Sequence, residues 1–186
     1  MSTAPESFPR FTYHPDPVGT GAVVKSDAVC WCCGRARGYI YPGPAYAIEE
    51  LVEAICPWCI ADGSAAEKFD AQFVSHLEIT RQSPPYEPDV PASVREEIYK
   101  RTPGYPSWQG EWWLTHCGDA CEFRGEMTGE RFAALPPDLV AEHAKTNGFI
   151  ERWQGHEAEY RRGSGISVYE FVCRHCGAVR LHADAS

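Results

Sequence analysis

Val29–Pro44 reads VCWCCGRARGYIYPGP, and CPWC follows at Cys56–Cys59. Tetrahedral zinc needs four thiolates or imidazoles, and a Cys-x-x-Cys turn delivers two of them from one tight loop. Cys30 and Cys33 form one such unit and Cys56 and Cys59 another, so the two close a four-cysteine site. Glycine after the second cysteine, as at Gly34, accepts a positive φ and lets the backbone N–H groups turn toward sulfur. The pattern repeats near the end of the chain as CRHCG, Cys173–Gly177. Together these predict an α+β protein of small zinc-stabilised domains, with zinc-knuckle and treble-clef-like elements and short hairpins.

Cys173 and Cys176 lack a partner unit, and the remaining pair is Cys117 and Cys121 in HCGDAC. A second four-cysteine site follows by elimination, so two structural Zn2+ ions are expected. Nine cysteines leave one over; Cys32 packs inward or competes with Cys33. His116 beside Cys117, or His175 between Cys173 and Cys176, is an alternative ligand or a residue that orients one. Four protein ligands leave no open metal position, which points to a structural and not a catalytic role. The rival chemistries are thiol redox at Cys56 and Cys59 and an iron–sulfur cluster. No βαβ pattern surrounds the first, and ferredoxin spacings do not match the second. No Ser/His/Asp arrangement or phosphate loop stands out, and His143 and His156 read as surface or core residues.

The chain has 186 residues, 44% of them hydrophobic, enough for one domain or two small ones. A net charge of −9 argues against a general grip on nucleic acid. The start, MSTAPESFPRFTYHPDP, has neither a basic n-region nor an apolar run, and no stretch approaches the roughly 18 apolar residues of a membrane span. A cytoplasmic protein with reduced thiols is expected. The imbalance is greatest at Glu111–Glu142, with seven acids and two bases. Glu111, Asp119, Glu122, Glu126 and Glu130 are therefore candidate partner-facing residues, with Trp108 or Trp112 as an aromatic anchor. Core packing is the ordinary role for the aromatic run from Tyr105 through Trp113.

The expected organisation is an N-terminal arm (1–28), a first zinc module with a following helix (29–82), a proline-rich connector (83–110) and a second zinc module (111–186) packed on the first as one globular unit. Phe8, Phe11 and Tyr13 are placed to pin the arm. GYIYPGPAYA reads as a hairpin or tight reversal. AIEELVEAI has helical spacing at Ile48, Leu51, Val52 and Ile55. Asp62 or Ser64 would cap a helix carrying Ala65, Phe69, Phe73 and Leu77 on one face. Further helices are expected at Ala92–Arg101 and Leu139–Trp153, the latter interrupted at Asn147 and Gly148. SVYEFVCRHCGAVRLHA reads as strand, cysteine turn, strand.

FTYHPDPVGTG, CWCCGRARGYIY, CPWCIADGSAAEKFDA, WLTHCGDAC and FVCRHCG resemble the CbrC family, a bacterial group named for a protein linked to tolerance of a nuclease colicin. The resemblance runs from Phe11 to about Leu181. It implies three Cys-x-x-Cys units, here Cys30/Cys33, Cys56/Cys59 and Cys173/Cys176, and a cytoplasmic role in bacteriocin tolerance or toxin defence, but no biochemical activity. The leading expectation is thus a non-enzymatic zinc protein, an immunity-like binder of a basic nuclease toxin with no direct contact to nucleic acid or membrane. Its alternatives are a zinc-dependent or thiol-redox enzyme using Cys56 and Cys59, and a zinc-responsive regulator or adaptor.

Overall fold

The computed structural model describes residues 7–78 and 89–186. Parts of the expected arm (1–6) and of the expected modules and connector (79–88) lie outside the described residues. The chain divides into two compact units, Met1–Ser75 with Glu96–Tyr105, and His76–Arg95 with Pro106–Ser186. No helix among the described residues is long and apolar enough to cross a membrane.

Very little regular structure builds the first unit. Strands β1 (Val24–Lys25) and β2 (Tyr39–Ile40) pair antiparallel, and single bridges join Tyr41 to Ile55 and Tyr46 to Gln72. Helix α1 is Pro57–Ala61 and α2 is Ser64–Phe69; α3 (Ala92–Arg101) contributes its second half to this unit. The core gathers Phe11, Ile40, Tyr41, Leu51, Ile55, Trp58, Ile60 and Phe73 around three buried cysteines. Phe8 sits edge-on to Tyr39 and Trp58, and the Trp58 Nε1–H donates to the Ser7 carbonyl, so aromatic contacts hold the arm.

Of two helices expected from the sequence, one is absent and the other is short. Ile48–Ile55 is irregular, with Glu53 at φ 50°, and Ile48 is fully exposed. The left-handed Glu53 breaks any helix here, and Ile55 is drawn into an antiparallel bridge with Tyr41, whose N–H donates to the Ile55 carbonyl at 2.9 Å, while the Ala54 carbonyl accepts from Trp31 N–H at 2.8 Å. Leu51 and Ile55 are buried as anchors of a loop, and their helical spacing is incidental. The helix after Asp62 stops at Phe69 because Asp70 turns left-handed at φ 47°. Phe73 then lies in a loop and Leu77 in a strand. Asp62 does act at the helix start, its carboxylate accepting from Ser64 N–H at 2.9 Å.

The second unit is a mixed α/β structure around a three-stranded antiparallel sheet, β7 (Glu122–Glu126), β8 (Ile166–Val172) and β9 (Val179–Ala185). Before it come the parallel pair β3 (His76–Leu77) and β4 (Trp112–Trp113), and the hairpin β5 (Thr115–His116) and β6 (Asp119–Ala120). Helices α4 (Gly129–Ala133), α5 (Pro137–Ala144) and α6 (Gly148–Glu151) connect β7 to β8. Phe132, Val140, Ile150, Tyr160, Val168 and Leu181 form one core. Trp113, Phe123 and Phe171 pack as a second aromatic group, with ring centroids 5.1–5.9 Å apart.

Asn147 explains the break between α5 and α6. Its side-chain oxygen accepts from Phe149 N–H (3.0 Å) and Ile150 N–H (3.3 Å), while its Nδ2 donates to the Ala183 carbonyl on β9 (3.0 Å). One residue thereby caps a helix and ties it to the sheet. Asn147→Ala is expected to cost about 1–2 kcal/mol, read as a lowered urea midpoint.

Candidate metal centres

The first centre combines a knuckle with a helix start. At the knuckle, Gly34 N–H donates to the Cys30 carbonyl (2.7 Å) and Cys30 N–H to the Arg35 carbonyl (3.0 Å), with Gly34 at φ 68°. The other half comes from α1: Cys56 is its extended N-cap, Pro57 holds the first helical position, and Cys59 lies in the first turn. Proline is favoured there because its missing N–H would have no helical partner. A knuckle followed by a helix N-terminus is the treble-clef arrangement.

Sγ–Sγ distances are 3.9 Å for Cys30–Cys59, 3.9 Å for Cys33–Cys56 and 3.6 Å for Cys56–Cys59. A metal bonded to sulfur at about 2.3 Å in a tetrahedron sets its donors about 3.8 Å apart. A disulfide would need about 2.05 Å, and all nine cysteines are free thiols. The four donor atoms lie within 4.8 Å of one another and could hold a metal ion.

The electrostatics of the first centre agree with that geometry. The Cys56 thiol hydrogen bond lowers Cys30 to about 4 against the opposing effect of burial, and Cys56 N–H also points at the Cys30 sulfur (3.3 Å). Cys56 is pushed up by sharing that hydrogen bond and by burial, and Cys59 is pushed up chiefly by burial. Four thiolates so close together require a cation.

The second centre joins the β5–β6 hairpin to the turn between β8 and β9. Gly177 N–H donates to the Cys173 carbonyl (3.0 Å) and Cys173 N–H to the Ala178 carbonyl (2.8 Å), the same pair of bonds as at Cys30. The sequence echo between the two Cys-x-x-Cys-Gly segments is thus an echo of backbone structure. Across from this knuckle, Cys117 (φ 55°) and Gly118 (φ 70°) form a two-residue turn between paired His116 and Asp119. Two positive φ values mark the primed hairpin turn, which ordinarily selects Asn-Gly. A cysteine bears a conformational cost there.

His116, Cys117, Cys173 and Cys176 bring their donors within 4.8 Å of one another. His116 Nδ1 lies 3.2 Å from the Cys117 sulfur and 3.4 Å from that of Cys176, and the two sulfurs are 3.8 Å apart. Tetrahedral sites of mixed sulfur and nitrogen have S–N edges of about 3.5 Å. Burial alone would raise Cys173, but N–H groups of Cys176 and His175 bring it down to about 6. Cys117 is raised to about 11, first through its hydrogen bond with Cys176.

Cys121, the expected fourth ligand, is outside this group, and His116 stands in its place. In the hairpin, Cys121 N–H donates to the Leu114 carbonyl and the Cys121 carbonyl accepts from Trp113 Nε1 (2.8 Å), which places it well back from the turn. It is buried, with its thiol pushed up to about 12 by that burial. The signal lay in HCGD: a Cys-Gly turn between two pairing residues puts His116, not Cys121, at the hairpin tip. Cys32 is outside both donor groups and packs against the first core, its sulfur 3.5 Å from Ser64 Oγ.

His175 is not a donor either. Its Nε2 lies 2.9 Å from Asp119 Oδ2, which also accepts from Arg174 at 3.3 Å, while Asp119 Oδ1 accepts from Ala120 N–H. Asp119 thus braces the hairpin against the second knuckle. At 8% exposure it is not partner-facing, and neither is Glu111 at 1%. Glu122 pairs with Arg124 (2.6 Å), and Glu126 accepts from Tyr160 and Ser167 hydroxyls, so only Glu130 is fully turned to solvent among the five acids. Trp108 is exposed with its Nε1–H on Ser167 Oγ, and Trp112 stacks between His76 and His182 at centroid distances of 5.3 and 6.3 Å. His143 is buried, its Nδ1 on the Leu139 carbonyl, and His156 is exposed beside Glu159.

Known proteins share this chain's sequence over nearly its whole length. The family model described as "Uncharacterised protein family (UPF0167)" matches residues 8–185. The chain belongs to the UPF0167 family. It is 43% identical to UPF0167 protein Mb2317 of Mycobacterium bovis over 98% of this chain and 96% of that protein. UPF0167 protein MT2352 of Mycobacterium tuberculosis matches with the same identity and coverage. UPF0167 protein PA1536 of Pseudomonas aeruginosa is 39% identical over 95% of this chain and 96% of its own length. No solved structure matches the chain.

Proposed function

We propose that this UPF0167 protein is a non-enzymatic zinc protein in which Cys30, Cys33, Cys56 and Cys59 hold one structural Zn2+ and His116, Cys117, Cys173 and Cys176 hold a second. The observation that carries this is the completeness of both donor groups: each offers four ligands whose donor atoms lie within 4.8 Å of one another, and four protein ligands leave no position for water or substrate. Three or four sulfurs with at most one imidazole select zinc over the hard cations. Thiol-redox catalysis at Cys56 and Cys59 is disfavoured because both side chains are buried. A reactive cysteine instead needs an accessible thiolate.

Metal content per chain, measured on protein purified without added metal, tests the proposal. Two zinc ions are expected. His116→Ala should retain one tightly, and Cys121→Ser should retain both. Zinc loss in Cys121→Ser with none in His116→Ala would restore the all-cysteine second site. Fewer than two ions in the unmodified chain would remove the proposal.

The resemblance to the CbrC family extends the proposal to a cytoplasmic binder of a basic nuclease toxin. A net charge of −9 supports steered association with such a partner. Glu130, Trp108 and Trp112 are exposed and open to contact, while Glu122 and Glu126 are half-buried at the edge of that set. Titration of a colicin nuclease domain against the chain tests it: undiminished affinity in Glu122→Lys/Glu130→Lys would remove the electrostatic contact.

A further inference from the structure

On the zinc-protein reading, which this inference presupposes, the two centres differ in exposure. Cys30, Cys56 and Cys59 are buried, whereas Cys117 and Cys176 are exposed and only Cys173 of that centre is a buried cysteine. The exposed pair sits at the tips of two separate turns. The two sulfurs are 3.8 Å apart and need to close by less than about 2 Å to reach the disulfide length. Cys117 is also held in a left-handed conformation, at φ 55°. Strain of this kind costs about 1–3 kcal/mol and persists where surrounding bonds over-determine it.

We propose that Cys117 and Cys176 are a reversible oxidative modification site, at which hydrogen peroxide converts the pair to a disulfide and expels the second metal ion while the first stays bound. One thiolate attacks a peroxide oxygen; the O–O bond breaks, hydroxide leaves, and a sulfenic acid forms. The other thiolate attacks that sulfur, the S–S bond forms, the S–O bond breaks, and a second hydroxide leaves. Two electrons pass from the sulfur pair to peroxide, and the two hydroxides are neutralised to water by protons from the buffer. The metal keeps only His116 and Cys173 and dissociates. A dithiol reverses the step by thiol–disulfide exchange, regenerating both thiolates. Cys121 is buried and outside the donor group, and burial shields Cys173 from peroxide in solution.

The experiment uses the full chain with its zinc counted beforehand. Hydrogen peroxide is added at one equivalent, released zinc is followed with a chromogenic chelator, and disulfides are mapped by mass spectrometry of alkylated peptides. Release of half the zinc with a Cys117–Cys176 cross-link, reversed by dithiothreitol and added zinc, is the expected result. Simultaneous loss of both ions, no loss, or a disulfide at another pair would overturn it. Fewer than two ions before peroxide is added would remove the zinc reading, and this proposal with it.

Discussion

Cys59→Ser should leave the first unit without a cooperative fold. The unit's strands are two residues each and its first two helices five and six, so backbone hydrogen bonding gives it little independent order. Its core instead converges on Cys30, Cys56 and Cys59, which are buried among Tyr41, Ile55, Trp58 and Phe73. A structural zinc contributes on the order of 10–16 kcal/mol of apparent binding energy in small zinc peptides, against roughly 5–15 kcal/mol of net stability for a domain. Removing one of four ligands therefore withdraws an amount comparable with everything that holds the unit together. Hydrogen exchange separates this from a local defect: peptides across residues 30–75 should lose protection in Cys59→Ser, together with one zinc ion. Cys32→Ser should change neither, since its sulfur packs at the core margin. Native-like protection and two bound ions in Cys59→Ser would show that the first centre does not organise the fold.

Sequence and structure agree best where local chemistry acts alone. Ala92–Arg101 forms the helix expected for it, and the alternation on either side of Cys173–Cys176 becomes β8 and β9. Asn147 interrupts the helical region because its short amide satisfies two helix-start N–H groups, which is its intrinsic preference. Agreement fails where a remote partner claims the backbone. Ile48–Ile55 has helical spacing, yet Glu53 is left-handed and Ile55 pairs in an extended bridge with Tyr41. Tertiary pairing overrides propensity there.

The first centre was legible because regularly spaced cysteines in a knuckle and a helix start report their own geometry. The second was half legible. Counting cysteines leads to Cys121, but hairpin register decides which residues reach the tip, and the pairing of His116 with Asp119 selects histidine. The acidic run at Glu111–Glu142 misleads for a related reason: charge is visible in sequence, but the pairing of Asp119 with His175 and Arg174 is not.

Acidification from pH 6.5 to 4 should destabilise the protein through His14, in addition to any effect at the metal centres. His14 is fully buried; its Nδ1 is 2.9 Å from the Pro103 carbonyl and its Nε2 is 2.7 Å from the Thr20 hydroxyl. A carbonyl can only accept, so Nδ1 carries the proton and Nε2 accepts from Thr20, which is the neutral ring. Burial lowers its pKa from 6.5 to about 4. The unfolded chain thus takes up a proton below pH 6.5 that the folded chain refuses. Stability from His14 is complete above that pH and falls by about 1.4 kcal/mol per unit until about pH 4, some 3 kcal/mol in all. His182, half-buried between Trp112 and Tyr169, is lowered to about 4 in the same direction by burial, with a smaller effect because solvent reaches it. Urea titrations of wild type and His14→Asn at pH 7.0, 5.5 and 4.5, with bound zinc measured at each pH, isolate the histidine from protonation of the metal ligands. His14→Asn begins less stable at pH 7.0, having lost a packed ring, and should then lose less on acidification than wild type. Parallel pH dependences with equal zinc retention would mean that His14 already carries a proton in the folded state, and that the Thr20 hydroxyl has turned from Nε2 to the Pro17 carbonyl 3.3 Å away.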